Sequence, residues 1–457
     1  MKTNSVTPPS SLHRGLGLKE ATALNMIDMV GIGPFIVLPL VVKAIGGSLS
    51  PLAWVAGAFI ALVDGCVWAE LGAAMPEAGG TYVFLRESYG SQKWGRFMSF
   101  LFIWQTMFQA PLVIASGAIG FAQYLTYLIP LDPIVQKSVS GALVCFLVVL
   151  LYRRITTIGK VSMFLWAGVI STLIWLIGGG LSHFDSALAF HSSPAASTGS
   201  VILSLAFGQA TVQTVYTFLG YYNVCHLGGE IRDPERVIPR SIFLSITGIT
   251  ILYLALQLSF LGVLPSQEIA GSRFVVSQFV ERIHGTSAAS VATLLVLWIA
   301  FASLYSALLG YSRIPYAAAM DGNFFSPFGR VHPTRQFPHI SLLAMGGAAF
   351  VFSLLFKLSD VINAILATRI VVQFMGQAAG LLALHRRWPA RRFPFRMLLY
   401  PLPVFAAILV WAGVLLSTGT TFVLGGLAVI ATGSIVFLVR SSSLKEWPFD
   451  RHGEHAP

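Results

Sequence analysis

Charged residues are scarce in this chain: of its 457 residues only 10% are Asp, Glu, Lys or Arg, whereas 55% are hydrophobic. Soluble domains average about 25% charged residues, so this composition excludes a soluble globular protein. Cysteine is also scarce, and its three copies all lie in apolar segments. We therefore expect Cys66, Cys145 and Cys225 to be free thiols without a structural disulfide.

The motifs of common enzyme and pump classes are absent as well. The sequence has no P-loop, no zinc motif and no nucleophile elbow, and its histidines, among them His183, His191 and His226, lack the spacing of metal ligands. We therefore expect no enzyme activity, no metal site and no cofactor. Two other classes stay open: a channel, for which no filter or pore-lining ring is visible, and a receptor with a transporter-like fold.

Long apolar runs are present instead. Charge-free stretches longer than the roughly 20 residues that cross a bilayer recur along the whole chain. They predict an all-α polytopic membrane protein with twelve transmembrane helices, at residues 19–44, 51–75, 96–128, 137–152, 157–181, 201–225, 239–264, 286–313, 339–357, 360–385, 398–416 and 421–439.

The connections between these helices alternate in their content of Lys and Arg. One set carries most of the 29 basic residues, and the positive-inside rule makes that side cytoplasmic, together with both termini. We expect a multi-pass protein of a cell membrane, the bacterial inner membrane in particular. The net charge of +11 is spread over short loops, so it predicts no nucleic-acid partner.

Two predicted helices contain residues that interrupt a helix. Helix one carries Gly31, Gly33 and Pro34 within NMIDMVGIGPF, and helix six carries Gly220 within YTFLGYYN. Interrupted helices in corresponding positions of two halves mark transporter binding sites, because half-helix ends expose unpaired N–H and C=O groups near the midplane. A half-helix N-terminus suits a carboxylate and free carbonyls suit an ammonium, so this pattern favours a zwitterionic substrate. For a single glycine pair the alternative is close helix packing.

Three further motifs accompany the GIG of helix one: AELGAAMPEAGGTYVFLRESYG at 69–90, GGEIRDPERVIPRSI at 228–242 and SRIPYAAAMDGNFFSPFGRVHP at 312–333. Over residues 18–403 the chain resembles the amino acid-polyamine-organocation (APC) superfamily permeases, which have a LeuT-like fold. The resemblance implies two inverted five-helix repeats plus two extra helices. The expected division is a cytoplasmic tail at 1–17, a first repeat at 18–185, a second repeat at 186–386, helices eleven and twelve at 387–439, and a cytoplasmic tail at 440–457.

The resemblance also implies where the substrate binds. In such permeases backbone at the first break holds the substrate carboxylate, and backbone at both breaks holds its amine. The implied substrate-binding residues here are Asp28, Met29, Gly31, Ile32, Gly33, Thr217, Phe218, Gly220 and Tyr221. The chain departs from the Gly-Ser-Gly-like pattern frequent in this family, because Ile32 replaces the hydroxyl residue and Pro34 removes a backbone donor.

Ionisable residues inside predicted helices are functional hypotheses by default. Lys160 looks like the helix-five lysine that, in sodium-independent members, takes the place of sodium and ties the first helix to the fifth; snorkelling to the surface is its alternative. Arg369 should find a carboxylate, and we predict a structural ion pair with Asp64. Asp28 is expected near the substrate amine or on a proton path, with pairing to Arg369 as its alternative.

These patterns predict a secondary active transporter of amino acids that works by alternating access, in uptake or exchange. Neutral L-amino acids are favoured because the helix-six break, Tyr216 to Asn223, contains no acid. Transport is expected to be sodium-independent, with Lys160 as the coupling residue and protons as an open coupling ion. The alternative is a carrier of polyamines or cationic amino acids in which Asp28 binds the extra ammonium. Besides the small-molecule substrate and the bilayer we expect no disulfide-linked subunit, since residues 129–136 contain no cysteine.

Overall fold

The computed structural model describes residues 12–190, 204–355 and 367–449, together with residues 199, 202 and 365. Parts of several sequence predictions lie outside these described residues. They are the outer portions of the tails 1–17 and 440–457, the starts of predicted helices six and ten at 201 and 360, and the end of predicted helix nine at 357.

Helices make up nearly all the regular structure of the described residues. Up to residue 190 they are α1 (Leu18–Met29), α2 (Gly33–Ile45), α3 (Ser50–Ala74), α4 (Thr81–Ser88), α5 (Trp94–Leu125), α6 (Pro133–Leu151), α7 (Ile155–Ser182) and α8 (Ser186–Ala189). From residue 204 to 355 they are α9 (Leu205–Phe218), α10 (Asn223–His226), α11 (Pro234–Leu261), α12 (Ser266–Gly271), α13 (Val275–His284), α14 (Thr286–Tyr311), α15 (Arg313–Met320) and α16 (His339–Leu355). The remainder contains a π-helix (Ile370–Gly376), α17 (Gln377–Arg387), α18 (Leu402–Ser417) and α19 (Thr420–Leu444), and short 3-10 turns lie at Gly228–Glu230, Ser326–Gly329 and Ala390–Arg392.

Length and hydropathy identify the membrane-spanning helices. Among the described residues, 8 helices are long and apolar enough to cross a bilayer, and the bent pair α1 and α2 makes up to 9. Two shorter apolar helices are α16 and α18. The predicted all-helical, multi-pass class is therefore confirmed, while the twelve-helix LeuT-like arrangement stays a prediction.

The interrupted helices lie at the centre of the bundle. Helix α1 packs on α7, α11 and α14, and α9 packs on α2 and α3, while α11 runs along α3. The outer surface carries large apolar side chains, for example Phe59 at 58% exposure, Phe164 at 67% and Leu409 at 74%. An apolar exterior of this kind is what a bilayer requires, so the polar groups inside must find partners within the protein.

The three quoted motifs that follow the first break meet at one end of the bundle, which we call the arginine-rich end. There Arg313 donates through Nε and Nη2 to the two carboxylate oxygens of Glu230, at 3.0 and 2.9 Å, and both side chains are buried. Arg86 forms ion pairs with Glu77 and Asp321. These pairs connect α4, α15 and the turn after α10, so the three motifs together close this end of the bundle.

Candidate functional site

The first break lies between α1 and α2. Helix α1 ends at Met29, α2 begins at Gly33, and the two segments are bent by 46°. The amides of Val30 and Gly31 bond the carbonyls of Met26 and Met29, and Pro34 contributes no N–H. In the part of the chain that the structure describes, no acceptor takes the amides of Ile32 and Gly33. The start of α2 is thus an anion-attracting half-helix end with one donor fewer than usual.

The second break follows α9. The helix ends at Phe218, Leu219 is extended, and Gly220 has φ +122° before the chain turns into α10. A Cβ atom at Gly220 would lie 2.8 Å from the Met29 nitrogen and 2.9 Å from the Asp28 carbonyl carbon. Only glycine fits both this backbone conformation and this close approach. The two interruptions are therefore in direct contact.

Tyr253 of α11 connects the ends of the two half-helices. Its buried hydroxyl donates to the Met29 carbonyl at 2.8 Å and lies 3.3 Å from the Thr217 carbonyl. Both carbonyls lie at C-terminal helix ends, where intrahelical donors are missing. Sequence reasoning missed Tyr253, although Tyr253 and Gln257 form an i, i+4 polar pair in the mostly apolar C-terminal part of the helix and could have been noticed.

A small cavity of about 80 Å³ lies between the two breaks. It is lined by most of the predicted substrate-binding residues: Asp28, Met29, Gly31, Ile32, Gly33, Thr217 and Gly220. Further side chains complete the lining, among them Ser116, Tyr216, Tyr222, Ser303, Tyr311 and Arg369. The volume is far below the roughly 300–1,000 Å³ of pockets for drug-sized ligands, so the cavity suits a small substrate.

Phe218 and Tyr221 are the two implied substrate-binding residues whose side chains make their contacts elsewhere. Neither is among the residues that line the cavity. Phe218 packs its ring against Trp54 and Tyr253, with centroids 6.4 and 5.4 Å apart. The Tyr221 hydroxyl donates to the Asp64 carboxylate at 2.5 Å. Both side chains therefore pack against the bundle and stabilise the second break.

The predicted ion pair between Arg369 and Asp64 is also corrected. Asp64 accepts from the Tyr221 hydroxyl and from Trp411 Nε1 at 2.9 Å, so its two oxygens are taken by neutral donors. Arg369 donates to the Tyr222 hydroxyl at 2.5 Å and to Gln373 Oε1 at 3.0 Å. Among the described residues, no carboxylate oxygen lies within 4.0 Å of its guanidinium nitrogens.

Asp28 and Arg369 both face the cavity between the breaks. The Asp28 carboxylate is partly buried and forms no ion pair or side-chain hydrogen bond with any residue that the structure describes. Apart from tyrosines, these two side chains are the ionisable groups of the lining. The cavity thus presents one acid and one base, which is the charge pattern of a zwitterion's binding partner.

Lys160 lies elsewhere than predicted. Helix α7 buries Ile158, Gly159 and Ser162, whereas Lys160 is exposed on the same side as Phe164, one turn further along. Within the described ranges Lys160 forms no hydrogen bond or ion pair, so it does not tie the fifth predicted helix to the first. This placement matches the snorkelling alternative.

Neutral hydrogen bonds fix the first helix in place of the predicted tie through Lys160. Ser306 of α14 donates to the Leu24 carbonyl at 2.8 Å, and Asn223 Nδ2 donates to the Ser306 hydroxyl at 2.8 Å. The side-chain oxygen of Asn25 accepts from the Val224 amide at 2.9 Å. This bracket joins α1, α10 and α14 without any charged side chain.

Comparison with known proteins adds to this geometry. A family model described as amino acid permease matches residues 16–439. The chain is 25% identical over 431 residues to the serine/threonine exchanger SteT of Bacillus subtilis, covering 91% of this chain and 93% of that one. It is 26% identical over 459 residues to the Asc-type amino acid transporter 1 of Homo sapiens, covering 94% and 82%. An uncharacterized transporter of Mycobacterium bovis is 28% identical over 345 residues, covering 74% and 73%.

Proposed function

The chain belongs to the amino acid permease family, and from that premise we propose that it is a secondary active transporter of small neutral L-amino acids. Its named relatives are an exchanger and a transporter and not enzymes. The observation that carries the proposal is the cavity of about 80 Å³ between two touching helix breaks, lined by Asp28 and Arg369. One acid and one base match the two charges of a zwitterion, and the small volume favours a small side chain.

The proposed mechanism is alternating access in a twelve-helix LeuT-like fold. The repeats are those of residues 18–185 and 186–386, followed by two further helices. Direct contact between the breaks at Gly220 and Met29, and their shared partner Tyr253, support movement of both interrupted helices as one unit. We propose that the arginine-rich end and both termini face the cytoplasm of a bacterial inner membrane, because of the positive-inside rule.

Sodium-independent transport remains part of the proposal, but Lys160 no longer supports it. Its support is the neutral bracket, in which the Ser306 hydroxyl donates directly to the Leu24 carbonyl at 2.8 Å. A relative named as a serine/threonine exchanger favours exchange of such substrates. Protons stay the candidate coupling ion, and Asp28 is the group through which they would act.

Polyamines and cationic amino acids form the second candidate substrate class. The observation that favours them is the free Asp28 carboxylate in the cavity. Arg369 lies in the same lining and would repel a second ammonium, so we place this class behind neutral amino acids.

Uptake into proteoliposomes tests these proposals. We would measure uptake of labelled L-serine, L-alanine, L-arginine and putrescine in sodium and in potassium buffers, with and without an inward proton gradient, and with unlabelled L-serine preloaded inside. We expect saturable L-serine or L-alanine uptake that is equal in both salts and is accelerated by preloading.

Two results would overturn parts of the proposal. Saturable uptake of putrescine or arginine, without L-serine or L-alanine uptake, would make the second substrate class correct. Unsaturable flux of all solutes would indicate a channel instead of a transporter.

A further inference from the structure

Arg369 occupies an unusual place in the backbone. It is 2% exposed and directly precedes the π-helix Ile370–Gly376, while its side chain reaches the cavity between the breaks. A π-helix carries wider turns than an α-helix and occurs frequently at functional sites. The helix geometry thus changes where this guanidinium meets the cavity.

Aromatic rings fix the orientation of the guanidinium. Its central carbon lies 5.5 Å from the ring centroid of Tyr222 and 5.4 Å from that of Phe374. Tyr222 is itself stacked on Trp68, with ring centroids 4.4 Å apart. A planar cation held against two adjacent rings is preorganised, so binding an anion does not require it to be immobilised first.

Hydrogen bonding leaves this guanidinium with spare donors. Its bonds to Tyr222 and Gln373 and its interaction with the Tyr311 hydroxyl use up to three of its five N–H groups, and all three partners are neutral. The neighbouring Gln373 Nε2 is buried and has no acceptor among the described residues. Since no carboxylate of the described chain lies within 4.0 Å, this buried positive charge lacks the directly paired counter-ion that such charges normally have.

The first break has few N–H donors for a substrate carboxylate, and Arg369 can supply more. A substrate carboxylate at the start of α2 finds the amides of Ile32 and Gly33, but Pro34 provides no third N–H. Arg369 and these residues line the same cavity. A guanidinium can bind a carboxylate with two parallel hydrogen bonds, which compensates for the missing amide.

We propose that Arg369 binds the carboxylate of the transported amino acid and so selects substrates that carry one. This inference rests on the proposed function and deepens it, because it assigns the carboxylate to a side chain and the ammonium to Asp28. Compounds with the same side chain but no carboxylate, such as L-alaninamide beside L-alanine, should then bind poorly.

The test measures carboxylate discrimination in proteoliposomes that contain wild type, Arg369→Gln or Arg369→Lys. Inhibition of labelled L-serine uptake by L-alanine and by L-alaninamide gives two half-inhibitory concentrations, whose ratio is the discrimination. We expect Arg369→Gln to reduce this ratio by about 10- to 100-fold, the effect of losing a charge-assisted hydrogen bond. Arg369→Lys keeps the charge without the planar fork and should reduce the ratio by less.

Arg282→Gln is the matched control. Arg282 forms an exposed ion pair with Glu268 at 2.8 Å and is not among the lining residues, so its replacement should leave both half-inhibitory concentrations unchanged. Thermal unfolding in detergent checks that each variant is folded. If Arg369→Gln does not fold, Arg369→Lys alone decides, because it retains the buried charge.

The outcomes separate this inference from the proposed function. If the wild type takes up no amino acid, the proposed function is wrong. If the wild type transports L-serine but the discrimination ratio is the same in the folded Arg369 variants, transport stands and the role of Arg369 is wrong. A lower maximal rate with an unchanged ratio would also contradict carboxylate binding.

Discussion

Arg313 and Arg369 are both almost fully buried, at 1% and 2% exposure, but their surroundings are opposite. Arg313 faces the carboxylate of Glu230, which it binds with two hydrogen bonds of 3.0 and 2.9 Å. Arg369 faces a hydroxyl, an amide oxygen and a cavity. Burial alone therefore does not identify a structural charge: Arg313 is neutralised by the protein, whereas Arg369 is left for a ligand.

Replacing each arginine by glutamine should change the free energy of unfolding by very different amounts. Arg313→Gln leaves Glu230 buried without its counter-ion, which should lower the free energy of unfolding by about 3–5 kcal/mol. Arg369→Gln removes two bonds to neutral acceptors and should lower it by about 1 kcal/mol. Thermal unfolding of both purified variants in one detergent measures the difference. Equal destabilisation would contradict the comparison, and a Glu230→Gln change added to Arg313→Gln should restore part of the loss.

Asp28 provides the next test because it is the acid that lines the same cavity as Arg369. Asp28→Asn should weaken binding of L-serine by about 10- to 100-fold, since it removes a charged acceptor of the ammonium. Folding should be little affected because Asp28 forms no side-chain bond with the described residues. The half-saturation concentration in uptake and the thermal unfolding temperature are both measured for Asp28→Asn. A lower unfolding temperature with an unchanged half-saturation concentration would make Asp28 a structural residue.

A smaller effect is expected at Tyr222, which accepts a hydrogen bond from Arg369 at 2.5 Å. Tyr222→Phe keeps the ring that stacks on Trp68 but removes the hydroxyl. This loss should weaken L-serine binding by about 1 kcal/mol, which is roughly fivefold. Half-saturation for L-serine measures it. If Tyr222→Phe raised the half-saturation concentration as much as Arg369→Gln does, the hydroxyl and not the guanidinium would be the main contact.

Lys160 is the third cation of the comparison and should give the smallest effect. It is exposed and has no partner in the described ranges, so Lys160→Gln should leave uptake and its dependence on protons unchanged. Initial rates across a pH series measure this. Loss of coupled uptake in Lys160→Gln would support the original prediction that Lys160 is the coupling residue.

Hydropathy and interruption signals predicted much of the scaffold. The apolar runs located long helices such as Ser50–Ala74 and Thr286–Tyr311 within a few residues, because bilayer thickness constrains both length and composition. Gly31, Gly33 and Pro34 located the first break, and Gly220 the second, because each disfavours a continuous helix for a local reason.

Partners of buried charges could not be predicted in the same way. The depth of Arg369 in its helix is visible in the sequence, but its choice of Tyr222 over Asp64 depends on how the second break turns its tyrosines. The predicted position of Lys160 was wrong for a similar reason, since helical phase decides whether a lysine faces the bundle or the lipid. Such outcomes follow from tertiary packing and have no local signal.

The hydroxyl of Tyr253 has a consequence for local opening. Because one side chain bonds the Met29 carbonyl and approaches the Thr217 carbonyl, residues 30–33 and 219–222 should open to solvent as one cooperative unit. Their hydrogen-bonded amides should therefore exchange hydrogen for deuterium at matching rates. In Tyr253→Phe the two segments should exchange independently, each at the rate that its own surroundings allow.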